Sequence, residues 1–334
     1  MANALDYAAR IVRNRGTMTV RAAGQASHWA GDLWAITSFF NPLSYRSRLS
    51  NYRIFRERLG VPLLAVELAY GPDFELGDGD ADILIQLRGS DVLWQKDRLL
   101  NIALDALPAH CTKVAWLDCD VLFGEDDWPE RTSLMLDRVL VAQMFSHAFY
   151  LPRDAKPGAR AEVLRTSLPY AIAGGLDAEA CLEQANGPSV GRYSSGIAWA
   201  ARRELLQEHR FYDACIIGGG DRAMVAALYG CFEHLIRRQR LNERQFAHFL
   251  AWAEPFYDAV RGAIGFVEGE LFHLWHGALE NRRWYRRYGP MPRFLFDPIE
   301  DIALTENRLW RWNSHKPELH AYVHDHFVQR REDG

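Results

Sequence analysis

Two aspartates, Asp118 and Asp120, come directly at the end of an apolar run that predicts a strand over residues 113–121. Side chains alternate along an extended chain, so residues two apart face the same side and the intervening Cys119 faces the other. Two carboxylates at the carboxyl end of a parallel strand suit Mg²⁺ or Mn²⁺ shared with the phosphates of a substrate. The pair therefore predicts a divalent-metal site that neutralises a diphosphate leaving group.

The spacing of this pair is weak evidence by itself, because roughly one or two Asp-x-Asp triplets are expected by chance in such a chain. Asp78, Asp80 and Asp82 form two more. They stand in a glycine-rich polar stretch that favours a solvated turn, and the other positions of a calcium-binding helix-loop-helix are missing. The apolar strand before Asp118 and Asp120 distinguishes that pair.

A second group of residues is the run Gly218, Gly219, Gly220 and Asp221. Three successive glycines indicate unusual backbone torsions or the close approach of a ligand. Asp221 stands at the start of a predicted helix, where an aspartate is either an N-cap or a carboxylate presented to a substrate. A phosphate-binding loop is not expected, because no Gly-Lys-Ser/Thr follows.

Two histidines, His273 and His276, flank Trp275 in an otherwise apolar segment. Imidazole binds Mn²⁺ readily, so one of them could complete the metal site, and a purely structural pair is the alternative. Three further histidines between residues 320 and 326 lie among charged residues on a predicted helix. They are expected to be solvated surface.

The elements that must position these groups alternate between strand and helix. Apolar runs predict strands over residues 33–40, 61–70, 83–87 and 113–121, and helical spacing of apolar residues predicts helices over 45–59 and 94–107. This alternation predicts an α/β fold with a parallel, helix-covered sheet. Residues 153–192, rich in proline and glycine with weak periodicity, are predicted to be an excursion or lid.

The composition of the chain excludes several classes of protein. Its 334 residues are 49% hydrophobic, enough for one large α/β domain or two smaller ones. The net charge is −4 with both signs mixed along the chain, so no nucleic-acid partner is expected. Without a secretory signal or an apolar run of ~18 residues, we expect a soluble cytoplasmic chain with no membrane span. Five cysteines without a CxxC pair are expected to be reduced and structural.

The three groups, in this order along the chain, resemble the nucleotide-sugar glycosyltransferases of the GT-A fold. The phrases Trp-Gln-Lys-Asp-Arg-Leu-Leu-Asn from residue 94, Trp-Leu-Asp-Cys-Asp from 116 and His-Leu-Trp-His-Gly from 273 resemble a bacterial and viral group of such enzymes. The resemblance spans residues 34–333. It implies a Rossmann-like, mostly parallel central sheet flanked by helices. An N-terminal helical segment over 1–30, a glycosyltransferase domain over 31–300 and a helical tail over 301–334 are expected.

The resemblance also assigns roles at the metal and the acceptor. Asp118 would approach the ribose and the metal, Asp120 would bind the metal, and His276, or else His273, would supply a further metal ligand. Asp221 would be the base of an inverting reaction that moves a hexosyl group from a nucleotide sugar, expected to be a UDP-sugar, to a saccharide, glycan or other hydroxyl acceptor. In place of the commoner Gly-Glu-Asp, this chain has Gly-Gly-Asp followed by Arg222.

Nucleotide contacts are implied at the ends of the first two strands and on the helix before Asp118. The candidates on the strands are Thr37, Phe39 and Glu67. Those on the helix are Lys96 and Arg98, together with Asn101, and the alternative for this helix is an amphipathic surface element.

Two other functions remain open on the sequence. A nucleotidyltransferase would favour a glycine-rich basic loop after the first strand, where this chain has Phe-Phe-Asn-Pro at 39–42. A catalytically silent module that binds carbohydrate or nucleotide would keep the fold and use Trp94, Trp199 and Trp275 as stacking surfaces. A dinucleotide-dependent oxidoreductase is not expected, because Gly-x-Gly-x-x-Gly is missing from the first half.

Overall fold

The computed structural model describes residues 19–22, 29–153, 155, 163–185 and 192–334. Its first half alternates strands and helices as the apolar pattern predicts. Strands β2 and β3 are buried along their whole length, which explains why each reads as a continuous apolar run. The elements are β1 (Thr19–Ala22), β2 (Leu33–Phe40), α1 (Arg46–Arg58), β3 (Leu63–Ala69), β4 (Ile83–Arg88), α2 (Lys96–Ala106), β5 (Lys113–Leu117), β6 (Val121–Phe123) and α3 (Trp128–Leu136).

The second half contains shorter strands and most of the remaining helices. Its elements are β7 (Val141–Gln143), β8 (His147–Tyr150), β9 (Val163–Ser167), α4 (Leu168–Ala173), α5 (Ala178–Glu183), β10 (Tyr193–Ser194), β11 (Ala198–Arg202), α6 (Arg203–His209), α7 (Gly220–Leu228), α8 (Glu233–Gln239), α9 (Glu243–Val260), β12 (Ile264–Phe266), β13 (Glu270–His273), α10 (Met291–Phe294), β14 (Ile302–Leu304), β15 (Trp310–Trp312) and α11 (Pro317–Arg330). Two short 3₁₀ turns cover Leu279–Arg282 and Arg286–Tyr288.

A large sheet of eight strands forms the centre, in the order β1-β4-β3-β2-β5-β11-β7-β12. The pairs β4–β3, β3–β2, β2–β5 and β7–β12 are parallel, whereas β1 and β11 pair antiparallel with their neighbours. Helices flank this sheet. The predicted α/β fold with a mostly parallel, helix-covered sheet is therefore confirmed.

A second sheet of five strands, β10-β9-β8-β13-β6, lies beside the carboxyl end of β5. Strand β6 begins directly after Asp120 and pairs antiparallel with β13, in a register that places His273 opposite Val121. This pairing brings the end of β13 next to Asp120, although the two segments are about 150 residues apart in the chain. The second sheet thus assembles the candidate metal residues.

Two hydrophobic clusters cover the two faces of the large sheet, and alternate residues of each strand enter different clusters. In β2, Ile36 belongs to the larger cluster and Ala35 to the smaller one. The larger cluster also contains Leu319, Val323 and Phe327 from α11. The tail is therefore part of the main core.

Three regions differ from the sequence-based expectation. Of the predicted N-terminal helical segment, residues 1–18 and 23–28 lie outside the described residues, and 19–22 form a strand instead. The tail from residue 301 begins with the hairpin β14–β15, because alternating tryptophans at 310 and 312 favour a strand, and only its second part is helical. The described part of 153–192 contains regular elements, and its role as a lid stays a prediction.

The five cysteines are free thiols. Within the described part of the chain, no helix has the length and apolar character needed to cross a membrane.

Candidate active site

Asp118 and Asp120 lie just beyond the carboxyl end of β5 and line a cleft at that edge of the large sheet. Their side chains meet different partners. Oδ1 of Asp118 accepts a hydrogen bond of 2.6 Å from Nζ of Lys96, whereas Asp120 faces the two histidines. Cys119 between them is buried. The two carboxylates therefore lie in neighbouring parts of one cleft, Asp118 beside Lys96 and Asp120 beside the histidines.

Asp120, His273 and His276 form a compact cluster in which one ligand atom from each residue lies within 4.8 Å of the others. Nε2 of His273 is 3.5 Å from Oδ1 of Asp120, and Nε2 of His276 is 3.1 Å from Oδ2. Both imidazoles are buried. The sequence left open which histidine joins the site, and the structure brings both to Asp120.

The hydrogen bonds of the two histidines show which ring nitrogens carry a proton. Nδ1 of His273 lies 2.8 Å from the carbonyl oxygen of Leu274, which can only accept, so Nδ1 is protonated. Burial lowers the pKa of His273 to about 4, so its Nε2 is a lone pair at neutral pH. Nε2 of His276 is 2.8 Å from Nη2 of Arg282, which can only donate, so this Nε2 is also a lone pair.

The cluster therefore places Nε2 of both histidines beside one carboxylate, with Arg282 donating to the lone pair of His276. Oδ1 of Asp120 is buried and has no hydrogen-bond partner among the described residues. Oδ1 of Asp120 and Nε2 of His273 are thus two acceptors facing each other, and buried polar atoms require a partner. One carboxylate oxygen with two imidazoles fits Mn²⁺ better than Mg²⁺, which prefers oxygen ligands alone. Asp118 is not part of this set.

Lys96 links the two carboxylates that the sequence assigned to donor and acceptor. Its Nζ lies 2.6 Å from Oδ1 of Asp118 and 3.0 Å from Oδ1 of Asp221. Burial alone would lower the pKa of Lys96, but the carboxylates of Asp118 and Asp221 outweigh it and hold that pKa well above its ordinary value. Lys96 is therefore a buried ammonium ion at neutral pH.

Asp221 and Asp97 face the same part of the cleft as Lys96. Burial raises the pKa of Asp221, with Lys96 opposing that shift. Burial, followed by the charge of Asp221, raises the pKa of Asp97 to about 8, so Asp97 is mostly protonated at neutral pH. Asp221 is the second residue of α7 and Gly219 is its N-cap, so the N-cap alternative for Asp221 is wrong.

The three glycines before Asp221 are required by backbone torsions and by neighbouring side chains. Gly218 and Gly219 have φ values of +81° and +105°. A Cβ on Gly219 would collide with the Tyr288 hydroxyl, and a Cβ on Gly220 would collide with the Asp97 carboxylate. Contacts with other side chains of the protein therefore explain why glycine is needed here. A bound ligand is not required to explain it.

We expect Gly219→Ala to lower the free energy of unfolding by about 2–3 kcal/mol, because the methyl group meets Tyr288 in a backbone conformation that favours glycine. Gly79→Ala is the matched control, since Gly79 has φ +96° with no atom within 4 Å of the position that a Cβ would occupy, and it should cost about 1 kcal/mol. Urea unfolding of both variants measures the difference. Equal losses would contradict the steric explanation.

Three predicted nucleotide contacts lie away from this cleft. Thr37 is fully buried and donates to the carbonyl oxygen of Leu117, and Phe39 packs edge-on against Tyr52. Glu67 is buried and accepts hydrogen bonds from Gln86 and from the backbone of residues 75 and 76. Each therefore has a structural partner, and a nucleotide contact at these positions stays a prediction.

Helix α2 separates its polar residues between two environments. Lys96 lines the cleft, whereas Arg98 forms a 3.0 Å ion pair with Asp213, and Asn101 binds the same carboxylate and the backbone of Phe211. Arg98 and Asn101 thus hold the 211–213 segment. The amphipathic surface alternative is wrong, because ten of the eleven residues of α2 are buried.

Several residues of the cleft have no signal in the local sequence. Arg48 from α1, Arg282 and Trp284 from the segment after His276, and Arg330 from α11 all line it. Glu332 lies 3.4 Å from Nδ1 of His276. These residues come from distant parts of the chain, so no motif around Asp118 or His273 could have identified them.

Two other expectations need correction. His326, expected at the surface, is only 2% exposed, and neither of its ring nitrogens has a hydrogen-bond partner in the described part of the chain. Trp199 is fully buried and stacks on Trp116, so it offers no surface for a sugar. Trp94 does line the cleft, packed against Phe327.

Buried His326 predicts a pH-dependent stability. Burial, with the positive charges of Arg287, Arg330 and Arg283, lowers the pKa of His326 to about 2, although Glu332 opposes the shift. The unfolded chain takes up this proton below about pH 6.5, so the stability is present above that pH and falls as pH decreases. At pH 5 this destabilisation is about 2 kcal/mol.

We therefore expect His326→Phe to gain about 2 kcal/mol relative to the parent protein between pH 7.5 and pH 5. Chemical denaturation at both pH values measures the gain. The same substitution at His324, whose side chain is 50% exposed, is the control. A pH-independent difference for the residue 326 variant would show that His326 does not remain neutral in the fold.

Comparison with known proteins gives only distant similarity. No protein-family model matches the chain, and no curated protein matches its sequence. Among solved structures, glucosyl-3-phosphoglycerate synthase from Mycobacterium tuberculosis, in complex with Mn²⁺, UDP and phosphoglyceric acid, is 14% identical over 83% of each chain, with a TM-score of 0.37. Mannosyltransferase PcManGT from Pyrobaculum calidifontis, in complex with GDP-Man and Mn²⁺, is 14% identical over 78% of this chain and 82% of that chain, with a TM-score of 0.32.

A third similar structure is 4-diphosphocytidyl-2C-methyl-D-erythritol synthase from Anaerococcus prevotii. It is 10% identical over 72% of this chain and 88% of that chain, with a TM-score of 0.32. Similarity at this level concerns the general α/β architecture. The chemistry of the cleft must be argued from its own residues.

Proposed function

We propose that this protein is a metal-dependent glycosyltransferase of the GT-A type, which transfers a sugar from a nucleotide sugar to a hydroxyl acceptor. The observation that carries this proposal is the convergence of Asp120, His273 and His276 in one cleft with the half-buried carboxylate of Asp221. The cleft opens at the carboxyl edge of the sheet, where α/β proteins bind their ligands. A cation site and a candidate base therefore border the same space.

Asp120, His273 and His276 would hold Mn²⁺. The bound ion would supply the positive charge that stabilises a diphosphate leaving group. Arg282 donates to Nε2 of His276, so a cation and this guanidinium compete for the same lone pair. The protein's own part is to hold both imidazoles beside Asp120.

Lys96 and Asp118 border the donor side in this proposal. The buried ammonium of Lys96 is positioned to contact a phosphate, and Asp118, held by Lys96, to contact the ribose. The proposed donor is a UDP-sugar. Burial of the Lys96 side chain keeps water away from these charges, which strengthens their interaction with a bound phosphate.

Asp221 is the proposed base of an inverting reaction. Its carboxylate would take the proton of the acceptor hydroxyl while that oxygen attacks the anomeric carbon from the side opposite the diphosphate. The raised pKa of Asp221 makes it a stronger base than an exposed aspartate. Lys96 keeps it ionised and oriented through hydrogen bonds to both of its oxygens.

A screen of nucleotide sugars with and without Mn²⁺ tests this proposal. We expect one donor to raise the melting temperature only when Mn²⁺ is present, because ligands that bind the folded state stabilise it. That donor should then release a nucleoside diphosphate, slowly to water and faster to an acceptor.

The same screen separates the alternatives. Release of pyrophosphate from a nucleoside triphosphate would instead indicate a nucleotidyltransferase. Stabilisation by a donor without any turnover, across a panel of acceptors, would indicate a binding module. If no nucleotide sugar stabilises the protein in the presence of Mn²⁺, the proposed function is wrong.

A further inference from the structure

The segment that follows α11 packs directly against the loop that carries His276. Gly277 has a φ of +86°, and a Cβ at this position would lie 2.8–3.0 Å from backbone atoms of Arg331, Arg330 and Glu332. No side chain fits there, so the two backbones are in direct contact. The turn after α11 is therefore built against the candidate metal loop.

Residues 332 and 333 are fixed in place by the start of α1. The Asp333 carboxylate accepts hydrogen bonds of 3.0 and 2.8 Å from the backbone N–H groups of Arg46 and Ser47. The Ser47 hydroxyl donates to the Glu332 carbonyl oxygen at 2.8 Å, across 285 residues of sequence. An acidic group at a helix N-terminus is a favourable anchor. This anchor fixes the backbone from which the Glu332 side chain extends.

The Glu332 carboxylate is 2% exposed and is surrounded by cations. Oε1 lies 2.5 Å from Nε of Arg330, and Oε2 lies 2.9 Å from Nη1 of Arg48. The carboxylate is thus held by ion pairs with two guanidinium groups. Glu332 is therefore a fixed anion inside the protein.

His276 needs an acceptor on the side that faces Glu332. Because Arg282 donates to Nε2, the proton of a neutral His276 is on Nδ1. This Nδ1 is buried without a hydrogen-bond partner in the described part of the structure, and Oε1 of Glu332 lies 3.4 Å from it. A buried N–H beside a carboxylate donates to it once the groups approach by a few tenths of an ångström.

We propose that Glu332 is the positioning residue of the candidate metal site, accepting a hydrogen bond from Nδ1–H of His276 so that the lone pair stays on Nε2, where a metal ion would bind in place of Arg282. Histidine ligands in metal sites usually donate their second N–H to a carboxylate or a carbonyl group, and these partners tune the affinity for the metal. His273 already has such a partner in the Leu274 carbonyl. Glu332 completes the same arrangement for His276. This inference rests on the proposed metal-dependent function.

Binding of Mn²⁺ alone, measured by calorimetry on the full chain, tests the proposal. We expect Glu332→Gln to weaken Mn²⁺ affinity about 10- to 100-fold, because a neutral amide holds the imidazole proton less strongly. Asp325→Asn on α11 is the matched control, and since the Asp325 side chain is 63% exposed and pairs with His324, the Mn²⁺ affinity of this variant should stay within about twofold of the parent value. An unchanged affinity in Glu332→Gln overturns the inference.

A second pair of variants tests whether Glu332 orients His276 or only neutralises the nearby arginines. Glu332→Gln leaves Arg48 and Arg330 with an uncompensated positive charge, and Arg48→Met removes one of these charges. If Glu332 orients His276, the affinity loss caused by Glu332→Gln should be the same with or without Arg48→Met. Recovery of the affinity in the double variant would show that only charge mattered, and would overturn the inference.

The tautomer of His276 can be read directly in the parent protein, which covers the case that Glu332→Gln does not fold. ¹⁵N-histidine NMR of the metal-free protein should show the His276 proton on Nδ1, and finding it on Nε2 overturns the inference. Asp120→Asn distinguishes the two levels of the proposal. If Asp120→Asn abolishes Mn²⁺ binding and Glu332→Gln does not weaken it, only the role of Glu332 fails. If the parent protein does not bind Mn²⁺, the proposed function fails as well.

Discussion

Asp221→Asn should reduce sugar transfer by about 10²–10⁴-fold while leaving the binding of donor and Mn²⁺ intact. Asparagine has nearly the same shape as aspartate and can still accept a hydrogen bond from Lys96, but it cannot take a proton from an acceptor hydroxyl. Asp221 does not belong to the cluster of Asp120 with the two histidines, so the cation site should not change. Single-turnover kinetics and calorimetric titration of the donor measure the two effects separately.

Asp97→Asn is the matched control for this prediction. Asp97 lines the same cleft, is more deeply buried than Asp221 and is mostly protonated at neutral pH, so the amide replaces a group that is already neutral. We expect its rate to stay within a few-fold of the parent protein, a small effect beside the loss expected for a missing base. Near-normal turnover in Asp221→Asn would remove Asp221 as the base, and equal losses in both variants would indicate a general disturbance of the cleft.

Asp120→Asn should abolish Mn²⁺ binding and lower transfer at least about 10³-fold, yet stabilise the metal-free protein. In the parent protein, Oδ1 of Asp120 faces the lone pair of His273 without a hydrogen-bond partner among the described residues, and Oδ2 lies 3.1 Å from Nε2 of His276. An amide NH₂ at one of these oxygen positions would donate to an imidazole instead, which should raise the free energy of unfolding by about 1 kcal/mol. A substitution that stabilises the metal-free protein but weakens Mn²⁺ binding is expected where a carboxylate is present in the fold for a cation rather than for stability.

Thermal unfolding with EDTA and with saturating Mn²⁺ measures both parts of this prediction. The parent protein should gain stability from Mn²⁺ and the Asp120→Asn variant should not. Asp118→Asn is the control, because Asp118 binds Lys96 and lies outside the cluster, so that variant should keep its response to Mn²⁺. A loss of the response in Asp118→Asn would restore Asp118 as a metal ligand, as the resemblance implied.

Much of the central sheet could be predicted because its strands are buried on both faces. Strands β2 and β3 are uninterrupted apolar segments bounded by turn residues, and that pattern indicates strand and burial together. The hairpin β14–β15 was missed because its strands have three residues each and its surroundings are charged. Short elements carry too little periodicity to identify, and distant contacts stabilise them, such as the side chain of Gln95 with the backbone of Trp310.

The local sequence pattern also could not predict which polar residues are buried. The charged residues Lys96, Asp97 and Arg98 in the first turn of α2 indicate a surface helix, and all three are buried. The two cations are accommodated by partners far along the chain, Asp221 for Lys96 and Asp213 for Arg98. His326 was misjudged for the same reason, since its charged neighbours in sequence are not its neighbours in space.

The sequence by itself determined which residues have the chemistry for a site, namely Asp118 and Asp120 at a strand end, Asp221 after three glycines, and a histidine pair. Residue type and local conformation suffice for that, because side-chain alternation and backbone torsions are properties of a few consecutive residues. Only the tertiary structure decided which of these residues contact one another. The register of β6 against β13 joins Asp120 to both histidines, and the packing of α2 joins Asp118 to Lys96.

The tertiary structure alone also revealed Glu332. Its distance to His276 depends on the anchoring of the last residues against α1 and on the absence of a side chain at Gly277. Such contacts are set by how remote elements pack, and no local pattern of the chain records them.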